Sequence, residues 1–233
     1  MAISFDLFGT LVAVERPSDP ASAVADALAE RGVAVPDDFA AAYRERHVDA
    51  PPGAEVPLPA HVAAALRDRG VAPPDGNVVR RAVVAAFDPD VRTRPGAVAA
   101  VDAAPGPVAC CSNCAVPQLA TRALVRSDVD RGAFDAVVTS AGCGWRKPDR
   151  RVFDAVARRL GVPVDALVHV GDDPRTDGGI ADAGGRFVDV ADVPLTALSE
   201  RLSDLSDASA LAERGGRDGD AEAPGDRDGG DGR

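Results

Sequence analysis

Five short apolar runs stand out along the chain: Ala2–Asp6, Pro107–Ser112, Phe134–Ser140, Leu167–Gly171 and Arg186–Val190. Each is too short for a helix, and its apolar residues are continuous rather than alternating. That is the pattern of strands buried on both faces of a sheet. Helical patterns lie between the later runs, in "PQLATRALVRS" and "RRVFDAVARRLG". The second places Val152, Phe153, Val156, Ala157 and Leu160 on one stripe, and Gly161 follows as a stop signal. Strand and helix in alternation predict a parallel sheet with helices on both faces.

Between residues 14 and 90 the alternation breaks. The segment is rich in Ala and Arg and carries at least three helical patterns, near 21–31, 36–48 and 59–70, with "APPGAEVPLP" as an intervening loop. The α/β pattern resumes in "RTRPGAVAAV", with Pro95 near a helix start. From about 203 the chain runs into Gly, Asp, Arg and Ala and has almost nothing to bury. The expected organisation is an α/β core formed by 1–13 and 91–202, a helical insert at 14–90, and a disordered acidic tail at 203–233.

Composition narrows the picture. The 233 residues, 45% of them hydrophobic, suffice for one domain with a smaller insert. The net charge of −11 argues against binding nucleic acid through its phosphates. Among 26 basic residues the only Lys is Lys147, and Asp greatly outnumbers Glu among the 37 acidic ones. Such a surface suits solubility in high salt, so a halophilic source is expected. No basic segment followed by a long apolar run marks a signal peptide, and no apolar stretch is long enough to cross a membrane. The four cysteines, 110, 111, 114 and 143, are too few for a disulfide scaffold. A cytoplasmic protein with reduced thiols is the simplest expectation.

In open α/β sheets ligands bind beyond the carboxyl ends of the strands. There the sequence offers Asp6 with Gly9 and Thr10, then Ser112 and Asn113, then Lys147, then Asp172, Asp173 and Asp177. A lone carboxylate, a hydroxyl, an ammonium and a carboxylate cluster suit nucleophilic attack on a small anionic substrate. Lys147 supplies one positive charge, and a Mg²⁺ held by carboxylates supplies two. Ser112 and the backbone around Gly9 suit binding of phosphoryl oxygens, and Thr10, Asn113 and Lys147 join them as phosphate-binding candidates. The retention of one Lys among so many Arg fits a compact ammonium that a planar guanidinium cannot replace.

The motifs "FDLFGTL", "CCSN", "WRKPD" and "VHVGDDPRTD", in that order, resemble the four motifs of the haloacid dehalogenase superfamily, over residues 1 to about 195. The resemblance implies a Rossmann-like core of five parallel strands, with 14–90 as a helical cap. It implies that Asp6 is the nucleophile and a Mg²⁺ ligand. The backbone carbonyl of Phe8 and the carboxylate of Asp172 complete the metal site. Ser112 and Lys147 hold the transferring group, Thr10 braces the loop after the nucleophile, and Asp173 and Asp177 support the metal from behind.

Phe8 departs from that pattern. Most phosphatases of the superfamily have there a second Asp, which protonates the leaving group and then activates water. Phe transfers no proton, and losing a general acid–base costs on the order of 10²–10⁴-fold. Three readings remain open: a Mg²⁺-dependent phosphohydrolase, a dehalogenase-like enzyme whose halide leaves without a proton, and a weakly active member with a binding role. The natural substrate and the oligomeric state are not legible in the sequence.

Weaker signals have plainer readings. Cys111 and Cys114 form a lone Cys-x-x-Cys and read as packing residues. His47, beside Tyr43, Arg44 and Arg46, reads as part of a solvated helix face, with substrate anions as the alternative. His169 reads as a core residue. Arg16 lies where a core–cap hinge would let it reach substrate, and Trp145 lies where it would line the site mouth.

Overall fold

The structure, a computed structural model, describes residues 1–202 except positions 75, 89 and 199. The acidic stretch 203–233 lies outside the described residues. In chain order the elements are β1 (Ala2–Phe5), β2 (Val12–Val14), α1 (Pro20–Ala29), α2 (Phe39–Arg44), α3 (Leu58–Asp68), α4 (Val78–Ala86), β3 (Val91–Thr93), α5 (Ala97–Asp102), β4 (Val108–Ser112), α6 (Leu119–Arg126), β5 (Ala136–Thr139), α7 (Ser140–Cys143), α8 (Arg150–Leu160), β6 (Leu167–Gly171), α9 (Gly179–Asp182) and β7 (Arg186–Asp189).

Five strands form one parallel sheet in the order β5-β4-β1-β6-β7. The chain is thus an α/β protein with a Rossmann-like core, and β1 lies at its centre. Every residue of β1, β4 and β6 is buried, which explains their unbroken apolar runs. Successive side chains of β1 go to opposite faces. Ile3 and Phe5 join Val101, Ala120 and Leu124 on one face, whereas Ala2 joins Phe153, Val156 and Ile180 on the other. Helix α8 is fixed at both ends. The Asp149 carboxylate accepts from the N–H of Arg151, and Gly161 ends the helix at φ 69°, as the sequence predicts.

Helices α1 to α4 bury a separate cluster around Leu28, Phe39, Leu66 and Val83. Phe8 packs against both this cluster and the sheet, so it sits where the two meet. Two features escape the sequence pattern. One is α4, which lies beyond the three expected helical patterns although its apolar positions 78, 79, 82 and 83 share one helical face. The other is an antiparallel ribbon in which Val12–Val14 pairs with Val91–Thr93. At three residues each, these strands are too short to show a period. They bring together the two points where the chain leaves and re-enters the sheet layer.

Candidate active site

The strand order fixes the site. Because β1 lies between β4 and β6, the residues that follow these three strands converge at the carboxyl edge of the sheet. Asp6 comes just after β1, and its N–H still bonds to the carbonyl of Val170 at 2.8 Å, so the sheet ladder holds its backbone. Ser112 ends β4, Asn113 follows it, and Asp172 follows β6.

Lys147 is the hub. It is 2% exposed, and its ammonium lies 2.7 Å from Asp6 Oδ1, 2.5 Å from Asp177 Oδ1 and 2.9 Å from the carbonyl oxygen of Cys111. Three donors thus meet three acceptors. Burial alone would lower its pKa, but Asp6, and less strongly Asp177, raise it instead, so Lys147 stays charged. Its backbone is held by Asn113. The Asn113 amide donates to the Lys147 carbonyl at 2.9 Å and accepts from the Lys147 N–H at 2.8 Å. The sequence assigns Asn113 to phosphoryl binding, but its side chain is committed to placing Lys147.

Asp6 uses Oδ1 for Lys147, and no described residue donates to its Oδ2. Burial pushes its carboxyl up to about 6, opposed by Lys147 and reinforced by Asp177 and Asp172. The Ser112 hydroxyl, on a residue 1% exposed, makes no hydrogen bond to a described residue. Both groups are therefore uncommitted.

Thr10 and Gly9 place Asp172. The Thr10 hydroxyl donates to Asp172 Oδ1 at 3.1 Å. Gly9 has φ +102°, and a Cβ there would overlap the Asp172 carboxylate. The Gly9 N–H donates to Val12 and its carbonyl accepts from Arg94, so its backbone is occupied rather than turned to a phosphoryl group. What Gly9 contributes is close approach.

Behind Lys147 lies a residue that the sequence reading took for plain core. His169 is fully buried, with Nε2 3.1 Å from Asp177 Oδ1 and Nδ1 2.9 Å from Ser4 Oγ. Ser4 and His169 are register partners on β1 and β6. Burial, then the Lys147 charge, push His169 down to about 4, so the ring is neutral. With a carboxylate at Nε2, the ring proton is assigned there, and the Ser4 hydroxyl donates to Nδ1. His169 thereby fixes the carboxylate that faces Lys147. Asp177 has its pKa lowered by His169 and Lys147 against the opposing effect of burial. Its Oδ2 accepts the N–H of Asp173 at 3.1 Å. The Asp173 carboxylate itself points away, to Arg175. Two polar residues at paired positions in otherwise apolar strands were the available signal for Ser4 and His169.

Oxygens of Asp6, Asp172 and Asp177 lie within 4.8 Å of one another. These three carboxylates are accompanied by one ammonium, which is tied to an oxygen of Asp6 and an oxygen of Asp177. An oxygen-rich set with unbalanced negative charge fits a hard divalent cation. Asp6 and Asp172 are the natural ligands, because Asp177 turns its oxygens to Lys147, His169 and the Asp173 N–H. A second group, Glu45, His47 and Asp68, is already bridged by Arg69, which contacts Glu45, Asp68 and Asp38.

Beside Phe8 and Asn113 a cavity of about 510 Å³ opens between sheet and helices. Phe8, Leu58, Phe87 and Leu119 give it apolar walls; Arg16, Tyr43 and Asn113 contribute polar groups. A larger cavity of about 1070 Å³ is reached past Leu58 and Ala115, and His47 and His61 line it. His47 is therefore not on a solvated helix face: its Nε2 bonds the Ala42 carbonyl at 2.6 Å. Trp145 lines neither cavity and stacks under Arg151, whose guanidinium carbon is 3.2 Å from the ring centre. The four cysteines are free, and burial pushes Cys111 up to about 12. No helix among the described residues is long and apolar enough to cross a membrane.

A family model for haloacid dehalogenase-like hydrolases matches residues 1–184. Among solved structures, a 2-haloacid dehalogenase from Pseudomonas syringae pv. Tomato DC3000 aligns with TM-score 0.58 and 24% identity, over 91% of this chain and 98% of that one. CbbY from Rhodobacter sphaeroides, in complex with phosphate, aligns with TM-score 0.52 and 20% identity, over 80% of this chain and 84% of that one. At such identities the likeness is one of fold. No curated protein matches this chain.

Proposed function

This chain belongs to the haloacid dehalogenase-like hydrolases, and from that premise we propose that it is a Mg²⁺-dependent phosphohydrolase acting on a small phosphorylated metabolite. One observation carries the reading: Asp6, Asp172 and Asp177 gather their oxygens in one place, and a single buried ammonium, bound to Asp6 and Asp177, offsets only part of their charge. A metal-free displacement needs no such excess of carboxylate.

Asp6 and Asp172, with the backbone carbonyl of Phe8, would hold the Mg²⁺; when bound, it would offset the charge of the phosphoryl oxygens. The uncommitted Asp6 Oδ2 attacks phosphorus and the ester oxygen departs, leaving an aspartyl phosphate. Lys147 lowers the repulsion between two anions in a buried site. The free Ser112 hydroxyl donates to a phosphoryl oxygen. Water then attacks phosphorus, releasing phosphate and restoring Asp6. Helices α1 to α4, within the 14–90 segment, act as a cap that excludes bulk water from this sequence.

Phe8 gives the second reading its one specific support: a halide leaves without needing a proton. The two are separated by assaying acetyl phosphate, p-nitrophenyl phosphate and 2-chloropropionate, with Mg²⁺ or EDTA, in high and low KCl. Metal-dependent phosphate release, abolished in Asp6→Asn, is the expected result. Halide release that persists in EDTA would replace the phosphohydrolase reading with the dehalogenase one.

A further inference from the structure

In-line displacement places the leaving group opposite the attacking oxygen. Asp6 attacks from the end of β1, and Ser112 and Lys147 face the transferring group. The departing part of the substrate then has to lie in the cavity flanked by Phe8, two residues after the nucleophile, and Asn113, one residue after Ser112. About 510 Å³ suits a small organic body. Phe8, Leu58, Phe87 and Leu119 favour an apolar one.

Within those walls Arg16 is anomalous. Its side chain makes no hydrogen bond or ion pair to a described residue. Two arginines of the helical segment are paired, Arg69 to three carboxylates and Arg46 to Asp49, but neither lines this cavity; Arg16 is the cation that does. The other charged lining residue, Glu15, faces Arg92 at 3.5 Å. Burial raises the thiol of Cys114, and Arg16 is among the groups that pull it back. The guanidinium charge is thus felt at the turn just past Ser112. A lone guanidinium, with no second cation beside it in this cavity, matches one planar carboxylate through its two-pronged donor geometry.

We propose that this cavity holds the leaving group and that Arg16 reads a carboxylate on it, so the substrate class is a phosphate ester or acyl phosphate with a short apolar body bearing one carboxylate. The inference rests on the phosphohydrolase reading and is tested separately from it.

Three probes isolate the carboxylate: phenyl phosphate, 4-carboxyphenyl phosphate, and the methyl ester of the latter. The ester has the better leaving group, so leaving-group acidity works against the expected order. Wild type should favour 4-carboxyphenyl phosphate over the ester by about 10- to 100-fold in kcat/KM, mainly through KM, as a charge-assisted pair implies. Arg16→Met should bring the preference to about twofold, and Arg16→Lys, lacking the fork, should fall between. Arg16 is exposed and bonded to nothing described, so neither variant should disturb the fold. A wild type with no preference, or a preference that survives Arg16→Met, overturns the proposal.

A binding arm removes the dependence on turnover. Calorimetry compares benzylphosphonate with 4-carboxybenzylphosphonate on Asp6→Asn protein in Mg²⁺, with and without Arg16→Met. If phenyl phosphate is not hydrolysed but the carboxylate preference appears and vanishes with Arg16, the cavity assignment stands and the phosphohydrolase reading falls. Turnover of phenyl phosphate with no preference in either arm has the reverse meaning.

Discussion

Replacing Phe8 with Asp tests what the missing proton donor means. Phe8 is half-buried and packs against both the sheet cluster and the helical cluster. Truncating a fully buried Phe costs about 3–5 kcal/mol, so this half-buried one should cost about 2 kcal/mol. The gain depends on the substrate. A positioned acid is worth about 10²-fold at the low end of its range, or about 2.7 kcal/mol of barrier, but only where the leaving oxygen needs a proton. The assay is kcat/KM in Mg²⁺ along a series from nitrophenyl to alkyl phosphates. Wild type should fall steeply as the leaving group becomes more basic. Phe8→Asp should flatten that slope, gaining about 100-fold at the alkyl end and changing little at the nitrophenyl end. Phe8→Ala controls for lost packing and should keep the steep slope. The reasoning fails if wild type hydrolyses alkyl and nitrophenyl esters alike, because some other group then supplies the proton. It also fails if Phe8→Asp shifts the whole series by one factor.

Other expectations follow from single contacts. Lys147→Met leaves Asp6 and Asp177 without the ammonium that both face; it should cost about 3–5 kcal/mol in urea unfolding without metal, with part of the loss recovered in Mg²⁺. Gly9→Ala puts a side chain at φ +102° and against Asp172; about 1–3 kcal/mol of strain is expected, with weaker Mg²⁺ binding by titration calorimetry. His169→Leu strips a partner from both Asp177 and Ser4; unfolding stability should fall by about 1–3 kcal/mol, and kcat should drop more than KM rises. His169→Asn should recover part of kcat if the ring acts by orienting Asp177. Equal effects of Leu and Asn would refute that role.

The sequence by itself determined the five strands of the parallel sheet, the longer helices between its later strands and the order of the motifs. These depend on local periodicity and on end signals such as Gly161, which act over a few residues. It also placed Asp6, Ser112 and Asp172 at strand ends, because a polar residue that closes an apolar run is visible one chain segment at a time, and it singled out Lys147, beyond β5, as the one Lys of the chain. The partners of those residues belonged to the tertiary structure. Asn113 reads as a ligand-binding amide until the fold brings it to the backbone of Lys147, 34 positions away. His169 reads as core until register sets it beside Ser4, 165 positions away, and turns it toward Asp177. Gly9 reads as a phosphate loop until Asp172 is seen to fill the space a side chain would take. Hydrogen bonds act over about 3 Å in space and are indifferent to distance along the chain. Periodicity reports which face a residue takes, and only the packed sheet decides what that face meets.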